Sequence, residues 1–114
     1  MSKTTKELVQ DGNAYIVRDC GSSGNITIAS AEKGTNGSIE NLSVYIGNSE
    51  ANAVSQLQQQ RPGIQHYAVG RISTLKKHSG FIREDEGKNP VRNGHCLITL
   101  ANEKDLATIF TKRV

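Results

Sequence analysis

Hydrophobic and polar residues alternate most regularly between Ile64 and Glu84, in the stretch IQHYAVGRISTLKKHSGFIRE. Over its first twelve residues Ile64, Ala68 and Ile72 fall on one side of an extended chain, and Gln65, Tyr67, Arg71 and Ser73 on the other. That period of two predicts a long strand with one buried and one open face. Shorter runs with the same period are Ala14–Arg18 (AYIVR), Asn25–Ala31 (NITIASA), Ile39–Ile46, the FIRE of 81–84 and His95–Ala101. In the third, Leu42, Val44 and Ile46 oppose Ser43 and Tyr45; in the last, Cys96, Ile98 and Leu100 point inward. The GSSG of 21–24 reads as a hairpin connection and the KGTNGS of 33–38 as a second turn.

The period changes in three places. Thr4 and Glu7 have the spacing of a capping box before Leu8 and Val9, with Gly12 to stop a short helix. At 49–60, SEANAVSQLQQQ, Ser49 can cap, Glu50 suits the positive end of the dipole, and Ala53, Val54 and Leu57 form one apolar stripe; Pro62 and Gly63 end the helix. Asn102 caps a C-terminal helix near 103–111, with Leu106, Ile109 and Phe110 buried and Lys112 and Arg113 at its negative end. Strand–helix–strand units do not recur, so the expected fold is α+β. It is a single domain over 1–114, an antiparallel sheet of about five to six strands with its helices on one side.

Composition adds two constraints. A chain of 114 residues with 35% hydrophobic content and no Trp builds a thin core, which favours a subunit that completes its packing against another copy. With 14 Lys and Arg against 11 Asp and Glu the chain is mildly basic, which permits contact with RNA or single-stranded nucleic acid without demanding it. Cys20 and Cys96, far apart and without metal-ligand spacing, read as free buried thiols. MSKTTKELVQ has no apolar signal-like core, and no run approaches a membrane span; neither secretion nor membrane insertion is expected.

Catalytic and metal-binding motifs are not apparent, so an enzyme, a metal and a cofactor are not expected. His66, His78 and His95 have spacings that identify no acid–base pair. Glu84, Asp85 and Glu86 read as solvated charge, with a cation site as the alternative, at the start of an exposed loop, DEGKNPVRNG, over 85–94. Arg71, Lys76, Lys77 and Arg83 gather around the central strand pair. Alternation then selects Tyr67, Arg71, Ser73, Arg83 and Thr99 as the candidate nucleic-acid-binding face.

Two resemblances bear on this face. AYIVRDCGSSGNITIAS (14–30) resembles the opening hairpin of coat proteins from single-stranded RNA bacteriophages. QHYAVGRISTLKKHSGFIRE and HCLITLANEKDLATIF, within 64–110, resemble that family's long central strands and its last strand leading into a helix. The resemblance implies a dimer sharing one continuous sheet, a larger shell of dimers, and an RNA hairpin on the sheet's open face. The expected role is a viral coat-like structural assembly subunit, found in the virion or host cytoplasm. GRISTLKKHSGFIREDEG (70–87) resembles the first two strands of cold-shock domains, and the alternative it implies is a small OB-like cytosolic single-stranded nucleic-acid-binding protein.

Overall fold

The computed structural model describes residues 3–85 and 94–114. Its strands are β1 (Tyr15–Gly21), β2 (Ile39–Gly47), β3 (His66–Arg71), β4 (Phe81–Glu84), β5 (His95–Leu100) and β6 (Lys112–Arg113). Its α-helices are α1 (Thr5–Leu8), α2 (Glu50–Gln60), α3 (Ile72–Lys77) and α4 (Leu106–Ile109). The strands form one antiparallel sheet in the order β4-β5-β2-β1-β3-β6, the α+β domain that the alternation predicts. Among the described residues the sheet is open, with β4 and β6 at its edges, and does not close into an OB-like barrel.

β1 is central, paired to β2 on one side and β3 on the other. This accounts for the clearest departure from the pattern. The β-prone run 25–31 finds no free strand edge beside β1, and instead wraps the sheet as irregular chain with a 3-10 turn at Ser30–Glu32. Ile26 and Ile28 still pack against the core. The chain leaves β1 through a bulge between Asp19 and Gly21, and both Gly21 and Gly24 adopt positive φ, 59° and 77°. No hairpin therefore forms over 14–30; the two antiparallel partners of β1 are β2 and β3.

β2 and β3 both run antiparallel to β1 and are thus parallel to each other, so their connection must cross the sheet, and α2 is that crossover. It packs Ala53, Val54 and Leu57 on Val17, Tyr45 and Val69. The main core lies on the opposite face, where Ile16, Val44, Ile46, Ala68 and Ile98 meet Leu8, Ile72, Leu75, Leu106, Ile109 and Phe110. Helices consequently cover both faces, where one was expected. Gly47 makes the close approach of α2 possible, because a Cβ there would lie 2.3 Å from the Ala53 nitrogen.

Two elements are shorter than the pattern suggests. β3 ends at Arg71 because Ile72 and Leu75, three apart, bury together on α3. The Ile72 and Ser73 N–H groups donate to the carbonyls of Ala14 and Gly12. The expected C-terminal helix near 103–111 is a 3-10 turn at Glu103–Asp105 followed by the single turn of α4. Phe110 then leaves helical geometry, and Lys112 and Arg113 pair with Val69 and Ala68 along the edge of β3. The caps at Thr4, Ser49 and Asn102 form as read.

Both thiols are buried and free. Burial pushes the Cys96 thiol up to about 12 from an ordinary 9.0, helped by the nearby Glu84 and Asp85 carboxylates. The unfolded chain therefore loses this proton first on alkalinisation. Below pH 9 the thiol's contribution is fully present, and it is lost as pH rises towards 12, at up to about 1.4 kcal/mol per pH unit. Urea unfolding at successive pH values above 9 should show this slope, and Cys96→Ala should flatten it; an unchanged slope in the variant would place the alkaline sensitivity elsewhere.

Candidate functional site

The face of the sheet that carries α2 is only partly covered. α2 sits over β1, β2 and part of β3, and among the described residues no helix covers the β4–β5 end. Register places Phe81, Arg83, Leu97 and Thr99 together there, with Phe81 opposite Thr99 and Arg83 opposite Leu97. Phe81 is 73% exposed, the largest exposed ring among the described residues. The Arg83 Nη2 donates to Asn41 Oδ1 at 3.0 Å, from a β2 residue held at φ 59°.

The five residues chosen by alternation do not form one face. Arg83 and Thr99 belong to this bare end. Tyr67 and Arg71 lie on the far side of α2, four strand spacings or roughly 19 Å from β4. Tyr67 is half-buried against the α2 cluster. Arg71 is exposed, stacks over the Tyr15 ring at 4.5 Å and donates to the Tyr15 hydroxyl. Ser73 is not on the sheet at all, since it lies in α3. A contact surface running continuously from Tyr67 to Thr99 is therefore replaced by two separate patches.

β4 is an edge strand with a defined phase. The Asp85 N–H donates to the His95 carbonyl at 3.1 Å, which continues the register of Phe81 with Thr99 and Arg83 with Leu97. Residues 81, 83 and 85 thus turn their backbone groups towards β5, and Ile82 and Glu84 turn theirs outward from the sheet. On the opposite face a groove of about 600 Å³, lined by Val9, Gln10, Lys76, Ser79, Gly80, Phe81 and Ile82, runs along this edge.

A polar cluster borders the bare end. The His95 Nδ1 lies 2.9 Å from Asp85 Oδ2, and its Nε2 lies 2.5 Å from Ser43 Oγ. The three residues come from the beginning of β5, the position just past β4 and the middle of β2, and register stacks them on one face. The Tyr45 ring flanks the imidazole with centroids 5.1 Å apart. Sequence spacing does not disclose this cluster. Ser43 reads as an open-face strand residue and Asp85 as loop charge, and only the strand register brings them to His95; Glu86 lies outside the described residues. His66 instead has Nδ1 3.0 Å from the Val114 carbonyl, and His78 faces Asp105 at 3.7 Å.

Beside Ser43 the β1–β2 ladder stops. Its last pair towards this end is Val17 with Tyr45, after which the Arg18 guanidinium fills the gap. Nη1 donates to the Ser43 carbonyl at 2.8 Å and Nη2 to the Thr27 carbonyl at 3.0 Å, with Glu32 3.9 Å away. A small cavity of about 50 Å³ lies there, lined by Asp19, Ser43, Tyr45, Leu57 and Arg61 among others.

Among the described residues no group of three His, Cys, Asp or Glu side chains could hold a metal ion, and no helix is long and apolar enough to cross a membrane. Comparison with protein-family models, with curated proteins and with solved structures finds no match to this chain.

Proposed function

We propose that the protein is an assembly subunit that joins a second copy of itself through β4, extending the two sheets into one. The observation that carries this is the self-complementarity of the β4 edge. Ile82 and Glu84 offer their backbone groups outward, so a twofold-related strand can pair antiparallel in three nearby registers that keep equivalent faces together; the one centred on Glu84 sets Glu84 against Glu84, a like-charge pair, which leaves two. One sets Arg83 against Arg83 of the other copy, a like-charge pair. The other centres on Ile82 and sets each Phe81 against the other copy's Arg83 in a non-hydrogen-bonded pair, where side chains approach closely and a guanidinium can stack on a ring. The second register satisfies the backbone and covers the exposed Phe81 in one step.

Pairing of this kind supports the coat-like reading, with one sheet shared by a dimer. It also joins the two bare ends, so that Arg83, Asn41 and Thr99 of both copies line one strip across the twofold axis. RNA phosphates are the ligand this strip suits, through the Arg83 guanidinium and the neighbouring amide and hydroxyl groups. The basic Arg71 patch lies outside the strip.

Light scattering on the size-exclusion peak tests the assembly. Wild type is expected at twice the monomer mass or above, Phe81→Lys at the monomer mass, and the swapped pair Phe81→Arg with Arg83→Phe back at the dimer. A wild type that stays monomeric at high concentration sinks the proposal. For the strip, Thr99→Glu leaves the paired edge intact and should weaken RNA retention at low salt in a chain that remains dimeric.

A further inference from the structure

We propose that Ser43 is a nucleophile for small acyl esters, activated by His95 and oriented through Asp85. The inference is independent of the assembly reading. It rests on the order of the contacts along Asp85, His95 and Ser43. A carboxylate only accepts, so the Asp85 Oδ2 2.9 Å away favours the tautomer that carries its proton on His95 Nδ1. In the neutral ring Nε2 then carries a lone pair, and the Ser43 hydroxyl 2.5 Å away donates to it. That is the protonation state in which a serine can be deprotonated as it attacks, with the acid holding the tautomer.

Position supports the same assignment. His95 and Asp85 have side chains only 10% and 14% exposed, which keeps the pair out of bulk water, while Ser43 is half-buried. Ser43 borders the gap where β1 leaves β2, and the cavity at that gap, about 50 Å³, has room for a group the size of an acetyl rather than a long chain. Arg61 lines the same cavity, 3.8 Å from the Asp19 carboxylate, and is a cation that can turn to a developing oxyanion. The Arg18 bond to the Ser43 carbonyl fixes the backbone from the other side.

The reaction is a two-step hydrolysis. The Ser43 Oγ forms a bond to the acyl carbon while its proton passes to His95 Nε2, and the ester C–O bond breaks as that proton goes to the leaving alkoxide. Water then attacks the acyl-serine and gives its proton to Nε2; the C–Oγ bond breaks and the proton returns to Ser43. The products are the acid and the alcohol. Ser43 and His95 act on the reacting atoms, and Asp85 is a positioning residue.

A fluorophosphonate probe followed by intact-mass and peptide mapping tests the site, with p-nitrophenyl acetate turnover as the second readout. Wild type is expected to gain one phosphonyl group on Ser43 with loss of fluoride. Ser43→Ala should gain none, and His95→Gln should slow labelling by about 100-fold or more. Asp85→Asn should slow labelling similarly and shift its pH dependence, with Asp85→Glu restoring part of the rate. Thermal melts establish that each variant is folded, and Ser43→Gly, which also removes the hydroxyl, serves where Ser43→Ala is not folded. The idea is overturned if folded wild type stays unlabelled, if the adduct maps elsewhere, or if His95→Gln labels at the wild-type rate.

Discussion

A Phe110→Ala variant should unfold about 3–5 kcal/mol more easily than wild type, the range for emptying a buried aromatic site. Phe110 is among the largest fully buried side chains, and it belongs to the main core formed by Ile16, Ala68, Ile72, Leu75 and Leu106. Its neighbours cannot readily fill the space. The chain reaches Phe110 from the single turn of α4, which is laid against β3 at Gly70, where an added Cβ would stand 2.5 Å from the Ile109 carbonyl oxygen and 3.3 Å from the Phe110 ring. The backbone is therefore already at contact distance and cannot move closer to close the void. For a domain whose whole stability is about 5–15 kcal/mol, the loss would be visible as a large drop in the urea midpoint. A change below about 1 kcal/mol would mean that the site collapses, contrary to this account.

Arg18→Ala should cost about 1.5–3 kcal/mol, the range for charge-assisted hydrogen bonds, and the loss should be local as well as global. The Arg18 side chain is 16% exposed, and its two terminal nitrogens hold the carbonyls of Ser43 and Thr27, which belong to β2 and to the irregular segment after β1. Its Nε is buried without a hydrogen-bond partner, a cost that the two terminal bonds offset. Truncation leaves both carbonyls to find water and frees the segment that contains exposed Lys33. Limited trypsin digestion should accordingly cut after Lys33 faster in Arg18→Ala than in wild type at equal global stability, adjusted with urea. Equal cutting rates would show that Ile26, Ile28 and the Lys33–Ile39 bridge hold the segment without Arg18.

How far the sequence discloses this fold depends on whether a feature is local. Ser49, Ala53, Val54 and Leu57 define α2 through caps and a stripe that need no knowledge of neighbours, and α2 spans Glu50–Gln60 as read. The alternation of Leu42, Val44 and Ile46 against Ser43 likewise survives in β2. Asn25–Ala31 misleads because its β-branched residues are compatible with a strand, whereas strand formation also needs a free edge that central β1 cannot give. Ile72 and Leu75 satisfy both a period of two seen from Ala68 and a helical spacing seen from each other, and burial on α3 decides between them. The candidate residues divide in the same way. Arg83 and Thr99 share a face because β4 and β5 are adjacent, while Tyr67 is separated from them by a helix whose docking side is set by strand order. Ser43 and His95 come from two strands and Asp85 from just past a third, and their meeting is a property of register that no local spacing encodes.

The crossover of α2 above β1 has a consequence for the order in which the sheet can be completed. Glu84 and Cys96 are close in the chain, so β4 and β5 can zip together early, whereas Tyr15 must wait for Arg71 before β1 has both neighbours. The edge that carries Phe81 is thus available before the centre of the molecule is closed. Newly made chains would meet one another by the same strand that we propose for the finished dimer, and crowding during synthesis would favour entanglement over maturation.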